Sequence, residues 1–156
     1  MIYRSPNSII ELYHAFNILL PISNLYPDFK QWYWNKVIPG IIQGQDKIII
    51  AEHKGEIIGI SLIKKGSEDK LRALRVIEKF QKKGYGLYLI DRSLKELDNP
   101  KPIVSVAEEM INQYSRIFIN RYGFDISHVY NGLYRKGKLE YEFNGTLSLK
   151  EKSVYF

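Results

Sequence analysis

Apolar residues recur at helical spacing over two early stretches and fall into short, strand-like runs through much of the rest of the chain. Ile9, Leu12, Tyr13, Phe16, Leu19 and Leu20 share one face at a 3.6-residue period. Ser8-Ile9-Ile10-Glu11, just behind Pro6, has the spacing of a capping box. Together they predict a helix that stops at Pro21, with Met1–Tyr3 as a short edge strand before it and His14 on its surface. A connector with two prolines spans 21–28 and leads into a second capping-box pattern, Asp28-Phe29-Lys30-Gln31. The helix predicted there carries Trp32, Tyr33, Trp34, Val37 and Ile38 and ends before Pro39-Gly40. Three consecutive aromatics cannot share one helical face, so at least one is exposed or lines a cleft. Packing against a neighbouring helix satisfies this pattern. So does the wall of a substrate pocket, whose candidate contacts are Tyr26, Trp32 and Tyr33.

The period then changes from helical to strand-like. Lys47–Glu52 is rich in β-branched residues, His53-Lys54-Gly55 turns the chain, and Ile57–Ile63 returns, which reads as a hairpin. A polar turn over 65–69 leads to a strand over Lys70–Val76. Leu87, Leu89, Ile90, Leu94 and Leu97 fit a helix ending near Asp98-Asn99-Pro100. Ile103–Val106 reads as a short strand and Met110–Tyr122 as a helix capped by Gly123. Asp125–Tyr134 and Leu139–Phe143 alternate as strands around the Arg135-Lys136-Gly137-Lys138 turn. The order β-α-α-β-β-β-α-β-α-β-β predicts an α+β domain over 1–145 with a largely antiparallel sheet, followed by a weakly specified tail over 146–156.

Composition narrows the chemistry. A chain of 156 residues fits one domain, and its 45% hydrophobic and 26% charged residues match an ordinary globular protein. The absence of cysteine excludes disulfides, thiolate metal sites and a cysteine nucleophile. The histidines at 14, 53 and 128 have no metal-ligand spacing, so no metal is expected. There is no basic-plus-apolar leader, and no apolar run approaches the roughly 18 residues of a membrane span, so the expectation is a cytoplasmic protein without a membrane partner. Of the net charge of +6, most lies in one region: Lys64–Lys101 holds 11 Lys or Arg against 6 Asp or Glu. A solvated basic face, a nucleic-acid surface and a site for a polyphosphorylated small molecule all account for that surplus.

Between the strand and helix of that region stands Gln81-Lys82-Lys83-Gly84-Tyr85-Gly86, a Gln-x-x-Gly-x-Gly pattern. Glycines at the mouth of a helix allow a ligand to approach the backbone, and the first-turn N–H groups with the helix dipole favour an anion, typically phosphate. An ordinary glycine-rich turn flanked by solvated lysines gives the same pattern.

The stretch Leu74-Arg75-Val76 followed by this motif resembles the fourth strand and the Gln/Arg-x-x-Gly-x-Gly/Ala pyrophosphate loop of the GNAT superfamily of N-acetyltransferases. Asn112 with Tyr122-Gly123-Phe124 is similar to that family's helix that opens with Asn and closes with Gly-Phe. The resemblance covers about residues 8–143. It implies a GNAT-like three-layer fold, with a central, mostly antiparallel, splayed sheet flanked by helices. It further implies that acetyl-CoA donates an acetyl group directly to an amine. Backbone groups of Leu74, Arg75 and Val76 would pair with the pantetheine arm, and N–H groups from Gln81 to Gly86 would hold the pyrophosphate. Lys82 and Lys83 would add charge beside it, and Asn112 would point to the pantetheine side.

Two catalytic positions depart from the family pattern. Where many members carry a proton-donating Tyr, this chain has Ile119, and where some carry a Glu base it has Lys70. The replacement candidates are Glu108, Glu109 and Tyr114, although acidic residues near a helix start also simply complement its dipole. Three readings follow: an N-acetyltransferase for a small-molecule or peptide amine, a cofactor-binding or regulatory module with little turnover, and a toxin-like member that acetylates aminoacyl-tRNA. A homodimer through the last hairpin or the tail is a further expectation.

Overall fold

In the computed structural model residues 1–145 are described, and the tail predicted over 146–156 lies outside the described residues. The chain forms two compact units, Met1–Asn99 and a second that begins at Pro100.

In the first unit, β1 (Ile2–Arg4) is followed by α1 (Ile9–Leu19), then by a helical run made of α2 (Phe29–Trp32), a π-helical turn (Tyr33–Val37) and α3 (Ile38–Ile42). Strands β2 (Asp46–His53), β3 (Glu56–Lys64) and β4 (Lys70–Val76) precede α4 (Tyr85–Leu97). The strands form one antiparallel sheet in the order β1-β2-β3-β4. Lys54 and Gly55 join β2 to β3 with φ of 50° and 78°, the two left-handed residues of a type I′ hairpin. Because side chains alternate along a strand, the sheet buries both faces. Ile48, Ile50, Ile60 and Leu62 pack with Ala15, Leu19, Phe29, Tyr33 and Val37 from the first helices. On the opposite face α4 packs on β3: a Cβ at Gly59 would lie 3.2 Å from Leu89 Cδ2, and Ser61 Oγ lies 2.6 Å from Ser93 Oγ.

Ser8 caps α1 as predicted, its Oγ accepting from the Glu11 N–H at 3.4 Å. The Glu11 carboxylate reaches Asn7 N–H rather than Ser8 N–H, and it also takes two hydrogen bonds from Arg4, at 2.7 and 2.6 Å. Three expectations change. The apolar face of α1 is narrower than its periodicity suggests, since Ile9 and Tyr13 are 68% and 53% exposed. Asp28 makes no side-chain cap. Nor does the second helix end before Pro39-Gly40: Ile38 N–H reaches back five residues to Tyr33 C=O, and α3 continues beyond this wider turn to Ile42.

In the second unit β5 (Val104–Ala107), α5 (Ile111–Ser115) with a π-helical continuation (Arg116–Arg121), β6 (Ile126–Asn131) and β7 (Leu139–Phe143) follow in sequence. The antiparallel order is β5-β7-β6. Phe118 stacks on Phe124 at 5.2 Å and meets Phe143 edge-on at 5.5 Å, forming an aromatic core for this unit. Gly123, with φ of 67°, ends the helical run as predicted, and Phe124 N–H closes the turn on Phe118 C=O.

Candidate functional site

Among the described residues strand β4 is the last strand of its sheet, so one of its edges is not taken up by a ladder. Arg75 pairs with Ile60, and just beyond it Ile77 N–H donates to Ile58 C=O at 2.9 Å. Hydrogen-bonding groups alternate sides along an antiparallel strand, so those of Leu74 and Val76 face the open edge. Arg75, expected to offer its backbone there, turns it into the ladder instead, and its Nη1 donates to Ile18 C=O at 3.2 Å. Further back the β3–β4 register slips by one residue, which leaves Arg72 as an extra residue on β4. Its guanidinium lies over the Trp32 ring at 5.4 Å, and its Nε is 3.0 Å from buried Asp46 Oδ1, an ion pair without hydrogen-bond alignment. Burial pushes the Asp46 carboxyl up, against the lowering influence of Arg72 and Lys64.

Beyond Val76 the chain makes a single 3-10 turn, Glu78–Phe80, and then the loop of the glycine motif. Gln81 is extended, and its Nε2 donates to Val76 C=O at 2.7 Å. Lys82 and Gly84 are left-handed, with φ of 61° and 88°, and α4 starts at Tyr85. Left-handed residues are a component of the backbone nests whose successive N–H groups can bind an anion. The N–H groups of Gly84, Tyr85 and Gly86 belong to the helix end, where no intrahelical acceptor exists. Gly84 needs its glycine for φ alone, since a Cβ there would meet nothing within 4 Å. Gly86 is different: its φ is ordinary, and a Cβ would only touch Val76 Cγ2 at 3.9 Å. The fold does not require glycine at 86; a ligand lying against the backbone would. Lys82 and Lys83 are exposed, and Lys83 Nζ lies 5.7 Å from the Phe80 ring centroid. Tyr85 is a packing residue, its ring meeting His53 at 5.6 Å and Phe80 at 5.9 Å.

The remaining candidates are less uniform. Tyr33 is fully buried and its hydroxyl donates to Leu12 C=O at 2.6 Å, so it is a core residue and cannot touch a substrate. Of the other two, Tyr26 and Trp32 are half-buried at the margin of the same core. In the second unit Asn112 is exposed on α5, with its C=O accepting from Ser115 Oγ at 3.3 Å. Glu108 Oε1 accepts the Leu139 N–H at 2.7 Å. Glu109 is held by both Arg135 Nη atoms, at 2.6 and 2.7 Å, and these hydrogen bonds lower its carboxyl to about 2. A carboxylate that acidic is a poor base. Burial pushes the Tyr114 phenol up, and its ring stacks on Phe118 at 5.4 Å.

A profile described as an acetyltransferase (GNAT) domain matches residues 26–130, two thirds of the sequence and all of the loop. The chain belongs to the GNAT acetyltransferase family. Solved GNAT structures share its fold at low identity. An acetyltransferase of the GNAT family from Desulfovibrio desulfuricans superposes with a TM-score of 0.72 at 15% identity, over 91% of this chain and 96% of that one. An aminoglycoside 6'-N-acetyltransferase from Enterococcus faecium gives 0.66 at 11% identity, over 92% and 95%. A GNAT family acetyltransferase from Elizabethkingia anophelis, solved with acetyl-CoA bound, gives 0.55 at 17%, over 69% and 80%. No curated protein matches the sequence.

Within this GNAT chain, the loop expected from the sequence is present and lies at the open end of β4. Among the described residues no cluster of His, Asp or Glu could hold a metal ion, and no helix is long and apolar enough to cross a membrane. Sequence reasoning missed the Arg72–Trp32–Asp46 assembly, because a one-residue register slip leaves no trace in hydrophobic spacing. It also missed where the Gln81 side chain goes, since a motif records residue types and not their partners.

Proposed function

We propose that this protein is an acetyl-CoA-dependent N-acetyltransferase that acetylates a primary amine of a small molecule or peptide. The single observation that carries the reading is the junction of an open β4 edge with a glycine loop whose second glycine the fold does not need. Leu74 N–H and C=O and Val76 N–H would pair with the pantetheine amides, and the N–H groups of Gly84, Tyr85 and Gly86 would hold the pyrophosphate. Lys82 and Lys83 would offset its charge. Bound acetyl-CoA supplies an activated thioester carbonyl.

The residues present favour attack by an amine that is already neutral. With Lys70 and Ile119 at the usual base and acid positions, Glu109 held by Arg135 and Glu108 accepting the Leu139 N–H, water or the second Glu108 oxygen would take the amine proton. Tyr114, with its phenol pushed up, stays protonated at neutral pH and would serve only as an acid. The same departures favour a second reading, a cofactor-holding module with little turnover.

Calorimetric titration with acetyl-CoA, on the intact protein and on a folded Gly84→Asp/Gly86→Asp variant, tests the site. Binding at one site that disappears in the variant supports it; no binding to the intact protein overturns it. A panel of primary amines then separates the two readings, because CoA release that depends on an added amine occurs only for the enzyme.

A further inference from the structure

We infer that Gln81 is a positioning residue whose side chain clamps the phosphate loop to the end of β4 and fixes where strand-like pairing on that strand stops. The inference rests on the proposed acetyl-CoA site. Val76 is the last residue of β4 whose backbone groups face the open edge, and Gln81 Nε2 already occupies its C=O at 2.7 Å. A ligand pairing along that edge meets Leu74 N–H and C=O and Val76 N–H, and then a Val76 C=O that already accepts the Gln81 amide. That prior bond favours an end to pairing there, and the next donors on offer are the N–H groups of the loop.

The same bond restrains the loop. Only four residues separate Val76 from Gln81, and three of them form the 3-10 turn closed by Phe80 N–H to Ile77 C=O and Gln81 N–H to Glu78 C=O. The amide therefore ties the far end of a compact turn back to its origin, and it does so immediately before left-handed Lys82. Gln81 is itself exposed, so its side chain has no packing role that would explain its place. By this geometry the side chain is directed at the strand and not at the phosphates, and it acts on the ligand through the backbone it orders.

Gln81→Met removes the donor while keeping length and adding no charge; Gln81→Arg restores a donor. In the ligand-free protein, NMR order parameters over Lys82–Gly86 are expected to fall in the Met variant, from about 0.85 toward 0.6, while those of α4 from Leu89 onward stay unchanged. The Kd for CoA is expected to rise about threefold to tenfold, the range for one net hydrogen bond. The Arg variant is expected to recover both. Unchanged order and affinity in the Met variant would overturn the clamp. So would a weakened Kd with the free loop still rigid, which would make Gln81 a direct ligand contact. Failure of the intact protein to bind CoA would instead overturn the acetyl-CoA reading, while the order parameters would still decide the clamp.

Discussion

The glycine loop is only as well placed as α4, and α4 is fixed to the sheet by a polar contact whose two halves have unequal value. Ser61 on β3 and Ser93 on α4 are both completely buried, with their Oγ atoms 2.6 Å apart. A hydroxyl has one proton, and Ser93 spends its own on Leu89 C=O at 2.7 Å. Ser61 is therefore the donor to Ser93. Ser61→Ala removes that donor and leaves Ser93 still bonded to Leu89, a loss of one net hydrogen bond, about 0.5–1.5 kcal/mol. Ser93→Ala leaves the buried Ser61 hydroxyl without its acceptor, which costs about 1–3 kcal/mol. The double variant leaves no orphan and is expected to be less destabilised than the sum, with a coupling on the order of 1 kcal/mol. Urea unfolding followed by the fluorescence of Trp32 and Trp34, both in the same compact unit, reads these values. With m of about 1–3 kcal/mol/M, Ser93→Ala is expected to lower the midpoint more than Ser61→Ala, at unchanged m. If Ser61→Ala proves the costlier variant, or the double variant equals the sum, Ser61 is not the donor to Ser93.

Other outcomes follow from single residues. Gly86→Ala is expected to keep its unfolding midpoint while CoA affinity falls, whereas Gly84→Ala is expected to lose about 1–2 kcal/mol of stability because L-residues resist its left-handed backbone; thermal melts beside calorimetry separate them. Tyr33→Phe is expected to lose about 0.5–1.5 kcal/mol from the lost bond to Leu12 C=O, with CoA and acceptor binding untouched, as equilibrium unfolding and titration would show. The Arg4 hydrogen bonds hold the Glu11 carboxyl at about 2 against an ordinary 4.5. A folded pKa below the unfolded one gives stability that is present above the unfolded value and is lost as pH falls from about 4.5 through 2. Arg4→Met is expected to return the Glu11 carboxyl toward its ordinary value in an NMR titration and to flatten that acid limb.

The elements with a single dominant signal were legible in the sequence. The span Lys70–Val76 is a strand because nothing along it breaks the run, and Gly123 stops a helix because it supplies the left-handed residue required there. What the sequence hid were outcomes of tertiary competition. Tyr33 stands between two tryptophans with equal claim to the core, yet it takes the fully buried place because its hydroxyl reaches Leu12 C=O, while Trp32 and Trp34 stay half-buried to either side. Pro39 carries a strong stop signal that a preceding π-helical turn cancels, and propensity alone has no term for that. In the candidate site the glycine loop was legible because backbone conformation demands particular residue types. The partners of Glu108 and Glu109, Leu139 N–H and Arg135, were not legible because they lie more than twenty residues away.

Backbone strain separates the parts of the chain that local structure explains from the loop that it does not. The left-handed region costs an L-residue about 1–2 kcal/mol, so each non-glycine found there needs a reason. Lys54 has one, since it is half of the two-residue turn between β2 and β3, and so has Asp98, which ends α4 with its N–H on Leu94 and Lys95 C=O. Lys82 closes no hairpin and caps no helix, yet it holds φ of 61° with its side chain exposed. The strain is sustained by neighbours on both sides, the Gln81 bond to Val76 before it and the start of α4 after it. The conformation precedes a glycine at 86 that packing does not demand. An outlier that serves no local element, four residues before a glycine that packing does not require, is consistent with the proposed phosphate site.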